Sequence, residues 1–128
     1  MRLRCLLPLG LVLLTAAPAS AETFADHGVT AEVAADHVTL GNGLVSRTWS
    51  RASFVSTITD LRGEDRVWSK DQPDFTLGIA GQPVSAKDFT VDGVTVKPLP
   101  RGGLRVVFTL SNTAPLTTDC VRKPATPG

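Results

Sequence analysis

Five carboxylates in the middle of the chain are the residues most able to do chemistry. They are Asp60, Glu64, Asp65, Asp71 and Asp74. Cleavage of a glycosidic bond needs two carboxyl groups on opposite sides of a cleft. The same stretch carries Arg62, Arg66 and Lys70. This mixture of charges is typical of solvated loops and strand ends, and the spacing alone does not place two carboxylates across a cleft.

The histidines and cysteines give weaker signals. His27 and His37 each follow an aspartate, but zinc needs three or four convergent ligands, so no metal site is predicted. The chain has no Gly-x-Ser-x-Gly motif and no glycine-rich phosphate loop, and no cofactor is predicted. Cys5 lies in a segment predicted to be removed, which leaves Cys120 as a single thiol that cannot form an internal disulfide.

The two tryptophans are predicted to have different roles. Trp68 lies in a polar stretch, residues 65–74, which is interpreted as loop-like. It is the candidate carbohydrate contact, because an exposed aromatic ring can cover the apolar face of a sugar. Trp49 ends an alternating segment that shares a face with Val45, and it is predicted to lie in the core.

The N-terminus has the three parts of a secretory signal peptide. Arg2 and Arg4 precede an apolar run, residues 6–14, and Ala19-Ser20-Ala21 provides a small-x-small cleavage site. Cleavage is expected after Ala21, so the protein is predicted to be secreted, either periplasmic or extracellular. The apolar run is shorter than the roughly 20 residues needed to span a bilayer, and no membrane span is expected after cleavage.

Length and charge exclude several classes of protein. The chain has 128 residues with 13 basic and 12 acidic side chains. Loss of Arg2 and Arg4 leaves 11 basic side chains against 12 acidic ones, so a nucleic-acid partner recognised through a basic face is not expected. The length suits one domain and is too short for a complete catalytic barrel of about 250 residues.

The elements that must position these residues are predicted to be strands. In residues 104–110, Leu104, Val106, Phe108 and Leu110 share one side and Arg105, Val107 and Thr109 the other, and this period of two is typical of a half-buried strand. Residues 75–79 alternate similarly before a turn at 80–83. Gly41-Asn42-Gly43 and Asp92-Gly93 each predict a hairpin turn. About seven to nine short strands, with at most a turn of helix, predict an all-β, antiparallel β-sandwich.

Several segments together resemble a known family. Residues 37–49 (HVTLGNGLVSRTW) look like the opening motif of the N-terminal domain of bacterial α-galactosidases of glycoside hydrolase family 36 type. Residues 59–61 followed by Trp68, then residues 73–77 and 103–110, fit the same pattern. The resemblance covers roughly residues 30–118.

The resemblance implies a β-supersandwich placed before a catalytic (β/α)₈ barrel that carries both catalytic aspartates. No catalytic residue is therefore assigned in this chain. The predicted organisation is a signal peptide (1–21), a mobile mature N-terminus (22–29), a sandwich domain that is incomplete (30–118) and an irregular, unpacked tail (119–128). The expected partners are a carbohydrate or the missing catalytic domain of a hydrolase. The alternative is a free-standing secreted module that binds carbohydrate or a cell-surface partner.

Overall fold

The computed structural model describes residues 20–112 of the chain. They form ten strands, one more than the predicted upper number, and every strand pair is antiparallel. The strands are β1 (Glu22–Asp26), β2 (Val29–Val33), β3 (His37–Gly41), β4 (Val45–Ser50), β5 (Val55–Asp60), β6 (Arg66–Pro73), β7 (Thr76–Ile79), β8 (Gln82–Ser85), β9 (Phe89–Pro98) and β10 (Leu104–Asn112). A single 3-10 turn, Ala86–Asp88, joins β8 to β9. The predicted signal peptide up to residue 19, both cysteines and the predicted tail lie outside the described residues.

The first layer is a six-stranded sheet in the order β1-β2-β3-β4-β5-β6. Side chains directly opposite one another in antiparallel strands share a face, so the strand register defines two faces. The inner face carries Ala31, Val38, Leu40, Val45, Trp49 and Ile58. The outer face carries Glu32, Thr39, Ser46, Thr48, Thr57 and Thr59. The inner face also carries Arg47 and Ser56, but its apolar side chains are the reason why these segments form strands with one face in the core.

The turn between β3 and β4 forms where the sequence predicts it. Gly43 has a φ of +82°, a conformation that glycine adopts without steric cost. The Asn42 side-chain oxygen accepts hydrogen bonds from the backbone N–H groups of Leu44 and Val45, both at 3.0 Å. The turn therefore fixes the register of the two central strands.

The second layer is a hairpin of β9 and β10 that lies on the inner face. The Phe108 ring lies 5.2 Å from the Trp49 ring and 5.0 Å from the Phe54 ring, measured between centroids. Side chains along β10 alternate between half-buried and exposed, so the strand predicted at residues 104–110 is confirmed and extends to Asn112. The two layers form the predicted antiparallel β-sandwich.

One tight contact ties the far end of this hairpin to the first layer. The Gly103 backbone N–H donates to the Asp26 carboxylate at 2.8 Å. Gly102 has a φ of +95°, and a β-carbon there would lie 2.7 Å from His27 Cγ. Only glycine therefore fits where the β9–β10 turn meets the β1–β2 turn.

The prediction of a hairpin turn at Asp92-Gly93 is wrong. Strand β9 runs continuously through both residues. Thr109 pairs with Gly93 and Leu110 pairs with Val91, so Asp92 is the extra residue of a β-bulge. The ten-residue β9 finds a long partner in β10, and this pairing overrides the local turn preference of the dipeptide.

Two segments predicted to be irregular contain strands. Residues 22–29, predicted to be a mobile terminus, contain β1 and its turn, and β1 pairs with β2 over five residues. Residues 65–74, interpreted as loop-like, contain β6. Backbone pairing with β5 makes β6 a strand although almost all of its side chains are exposed, so its sequence shows no apolar alternation.

The turn predicted at residues 80–83 is confirmed. The alternating apolar side chains of residues 75–79 do not form one buried row. Strands β7 and β8 pair across a turn at Ala80 and Gly81, both of which have positive φ. Phe75 packs on the core, whereas the Leu77 side chain is 43% exposed. Val84, which pairs with Leu77, is only 6% exposed, so one side chain of this pair is buried and the other is not.

Candidate functional site

The Asp74 carboxylate, which follows β6, accepts hydrogen bonds from three different residues. One of its oxygens accepts from Arg47 Nη2 at 2.8 Å and from Ser56 Oγ at 2.5 Å, and the other accepts from Trp49 Nε1 at 2.6 Å. Arg47 Nε also donates to Ser56 Oγ at 3.1 Å. We call these four residues the Asp74 cluster.

The pairing of β4 with β5 places the donors of the Asp74 cluster side by side. Arg47 and Trp49 are two residues apart on β4, so both point to the inner face, and Ser56 on β5 pairs directly with Trp49. The Arg47 guanidinium lies 5.2 Å from the Trp49 ring centroid. Trp49 is 7% exposed, which confirms the prediction that it lies in the core.

The geometry makes Asp74 an anchor rather than a catalytic group. Its side chain is 17% exposed, and three donors already occupy its two oxygens. A general acid or a nucleophile needs an oxygen that can reach substrate. Asp74 instead joins the end of β6 to β4 and β5, and so fixes where the β7–β8 hairpin starts.

The predicted carbohydrate contact, Trp68, lies at the edge of the six-stranded sheet. Its side chain is 53% exposed, and the Arg62 guanidinium carbon lies 5.7 Å from its ring centroid. Ser69 pairs with Ile58 and Val67 pairs with Thr59, so Trp68 is the extra residue of a β-bulge. Bulges re-aim side chains and often occur at functional edges.

A second bulge interrupts the same strand two residues later. Asp71 has a φ of +49°, and its backbone N–H donates to Thr57 Oγ1 at 3.1 Å. Two bulges in eight residues make β6 a poor template for pairing with another strand. The exposed side chains of β6, rather than its backbone edge, are therefore the feature available to a ligand.

Arg62 is held in place over Trp68 by Asp60. Arg62 Nε and Nη2 donate to the two Asp60 oxygens at 2.9 and 3.0 Å, and the Arg62 backbone N–H donates at 3.0 Å. These hydrogen bonds lower the pKa of Asp60, chiefly through the Arg62 side chain. Of the candidate carboxylates, Asp60 forms an ion pair with Arg62 and Asp74 forms one with Arg47.

The pKa of Asp60 predicts how stability depends on pH. Because the folded state lowers this pKa, the carboxylate stabilises the fold above its ordinary value near 3.8, and the contribution is lost as the pH falls through the lower folded-state pKa. We expect Asp60→Asn to lower the urea midpoint at pH 6 and to have a smaller effect at a pH well below 3.8, where the carboxyl becomes protonated in the folded state as well. The control is Asp65→Asn in the adjacent exposed loop. An equal effect of Asp60→Asn at both pH values would contradict the role of the ion pair.

The two histidines each lie beside a preceding aspartate, and His37 Nε2 also lies 3.4 Å from Glu32 Oε1. His27 Nδ1 lies 2.8 Å from Asp26, and His37 Nδ1 lies 2.7 Å from Asp36. Within residues 20–112, no three His, Cys, Asp or Glu side chains come together in a way that could hold a metal ion. In the same range, no helix has the length and hydropathy needed to cross a membrane.

A shallow cleft of about 260 Å³ opens on the inner face beside the β3–β4 turn. It is lined by Val29, Leu40, Gly41, Asn42, Val45 and Arg47. Its walls are mainly aliphatic, and the Arg47 side chain, which is 40% exposed, lies at its border with the Asp74 cluster.

Sequence reasoning named Trp68 as a candidate carbohydrate contact, which stays a prediction, and named Asp74 as one of five candidate carboxylates, but it did not predict the Asp74 cluster. The alternation along β4 places Arg47 and Trp49 on one face, and this was a usable signal. Nothing local indicated that Asp74, which is 25 residues from Trp49, would reach them. Compared with models of protein families, with curated proteins and with solved structures, the chain gives no match.

Proposed function

We propose that this chain carries a non-catalytic, N-terminal β-sandwich portion of a secreted α-galactosidase-like glycoside hydrolase. The observation that supports the proposal is the difference in width between the two layers. Six strands at about 4.8 Å each give the first sheet a width of about 29 Å, whereas the two strands of the β9–β10 hairpin span about 10 Å. A sheet with this much inner face beyond its second layer is expected in part of a larger sandwich.

The residues that resemble the α-galactosidase N-terminal domain support this proposal by their place in the sandwich. Residues 37–49 form the central hairpin β3–β4, and residues 103–110 form most of β10, which packs on it. In the family the catalytic aspartates belong to the barrel, so the function proposed for these residues is to support and position a catalytic domain.

Export is part of the proposal. Strand β1 begins at Glu22, directly after the expected cleavage site at Ala21, and Ser20 and Ala21 are exposed. Removal of the leader at this point would leave every strand of the six-stranded sheet in place. The mature protein would act outside the cytoplasm, where a hydrolase meets polymeric carbohydrate.

Activity assays test the catalytic part of this proposal. The purified chain starting at Glu22 is expected to release no galactose from an aryl α-galactoside above the buffer rate. The reason is that Asp60 and Asp74 are engaged by Arg62 and by the Asp74 cluster. Activity that persists through purification and disappears in Asp60→Asn or Asp74→Asn would overturn it.

The second candidate function is a free-standing carbohydrate-binding module, and it rests on Trp68. A tryptophan that is 53% exposed exposes apolar surface without a packing role. Asp60 takes Nε and Nη2 of Arg62, which leaves Nη1 outside that ion pair as a donor for a sugar hydroxyl. An aromatic face next to a fixed donor is a suitable site for a hexose.

Binding to a polysaccharide with galactose side groups separates the two candidates. If Trp68 is a sugar platform, Trp68→Ala is expected to weaken retardation of the protein by galactomannan at least tenfold in native affinity gels, about 1.4 kcal/mol. The matched control is Val67→Ala, since Val67 is the neighbouring residue and is 52% exposed. If both variants are retarded equally, or if the unaltered protein is not retarded at all, the carbohydrate-binding module is rejected.

A further inference from the structure

We propose that Asn42 is a site of covalent modification, at which the β3–β4 turn promotes loss of the side-chain amide through attack by the backbone nitrogen of Gly43. The co-reactant is water, and the products carry aspartate or isoaspartate at position 42. The proposal rests on the contacts of the turn and does not depend on the function proposed above.

The first observation is that two donors converge on one oxygen of Asn42. The backbone N–H groups of Leu44 and Val45 both donate to Asn42 Oδ1 at 3.0 Å. Two backbone donors at this distance from a single carbonyl oxygen can stabilise the oxyanion that forms when a nucleophile attacks the carbonyl carbon. The turn therefore polarises Asn42 Cγ towards attack.

The second observation is that the nucleophile is adjacent and unhindered. Gly43 follows Asn42 directly, so a bond from its nitrogen to Asn42 Cγ closes a cyclic imide. Glycine has no side chain to obstruct this approach. Both residues are exposed, and no residue in the range 20–112 accepts a hydrogen bond from the Gly43 N–H. Solvent can therefore take the proton from this nitrogen.

Neighbouring backbone contacts hold the two donors in place. The Asn42 N–H donates to the Val45 carbonyl at 3.2 Å, and the Leu61 N–H donates to the Leu44 carbonyl at 2.8 Å. These bonds close the turn and join it to the residue after β5. Donors that are fixed before a reaction need not reorganise during it, so they act more strongly than donors in an unfolded chain.

The reaction balances with water alone. The Gly43 nitrogen loses its proton to solvent and bonds to Asn42 Cγ. The bond from Cγ to Nδ2 then breaks, and Nδ2 takes up a proton from water and leaves as ammonia. Water opens the imide at Cγ to give aspartate, or at the main-chain carbonyl carbon of residue 42 to give isoaspartate.

The two products keep different parts of the turn. Aspartate retains a side-chain oxygen that can accept from the N–H groups of Leu44 and Val45. In isoaspartate, Cγ becomes part of the main chain, which lengthens the backbone between β3 and β4. The modification therefore acts on the contact that fixes the register of the two central strands.

The test compares the folded protein with a synthetic peptide of residues 37–49, HVTLGNGLVSRTW, at about pH 8. Mass spectrometry of the fragment that contains residue 42 measures the replacement of the amide NH2 by OH. We expect the folded protein to react at least about tenfold faster than the peptide. Leu44→Pro, which removes one donor N–H, should slow the reaction of the folded protein at least about tenfold.

The matched control is Leu44→Ala, which keeps the N–H and changes a side chain that is 55% exposed. A folded protein that reacts no faster than the peptide would overturn the inference, and so would equal rates in the two Leu44 variants. The comparison with the peptide decides the question even if Leu44→Pro does not fold. Asn112, the other asparagine of the chain, is the internal reference, and an equal rate at Asn112 would also contradict a special role of the turn.

Discussion

Replacement of Asp74 by alanine is expected to destabilise the protein by about 3–5 kcal/mol, because it leaves several donors without an acceptor. Trp49 is 7% exposed and Ser56 is 3% exposed, so water does not readily replace the carboxylate at either donor. The Arg47 guanidinium loses its ion pair at the same time. Such a loss is a large fraction of the stability of a small domain.

Urea unfolding followed by tryptophan fluorescence measures the Asp74 effect. Asp74→Asn keeps an acceptor oxygen but not the charge, and it is expected to show an intermediate loss. Asp65→Ala, in the exposed loop before β6, is the control and should change stability by less than about 0.5 kcal/mol. If Asp65→Ala and Asp74→Ala lose equal stability, the Asp74 cluster does not anchor β6.

Phe108→Ala is expected to abolish cooperative unfolding, with a loss of about 3–5 kcal/mol. The Phe108 ring joins the hairpin to the first layer, since it packs on both Trp49 and Phe54. The buried apolar core of the described residues is small: Ala31, Val38, Trp49, Phe54, Val84, Ala86 and Val91. Few other contacts can therefore compensate for the missing ring.

Calorimetry on the chain starting at Glu22 checks this second expectation. The unaltered protein should show a weak, low-temperature transition, and Phe108→Ala should show none. Val107→Ala is the matched control, because Val107 is the adjacent residue on β10 and is 51% exposed. A sharp two-state transition of the unaltered monomer above about 60 °C would instead indicate an independent domain and favour the free-standing module.

Both expectations depend on the same feature of the sandwich, which is its thin second layer. The hairpin is fixed at one end by the Trp49 and Phe54 contacts and at the other by the Gly103 to Asp26 hydrogen bond. Apolar side chains remain accessible at the margins of both layers, at Leu77 and Val107 for example.

The sequence by itself determined the strands whose patterns were strong. The alternation in residues 104–110 identified β10, and Asn42-Gly43 identified the turn between β3 and β4, because both depend on local geometry. The all-β class followed from the same period-two pattern. The core position of Trp49 followed from the face that it shares with Val45.

Only the tertiary structure decided the remaining features, since each depends on contacts between residues far apart in the chain. Asp92-Gly93 became part of β9 because β10 offers a long pairing partner. Residues 66–73 form strand β6 because they pair with β5, and the bulge in β6 places Trp68 beside Arg62. Asp74 reached Arg47, Trp49 and Ser56 because the meander of the sheet returns the end of β6 to the inner face of β4 and β5. Local preferences of a few tenths to about 1 kcal/mol per residue cannot fix such arrangements, which form only when the packed layers have brought the groups together.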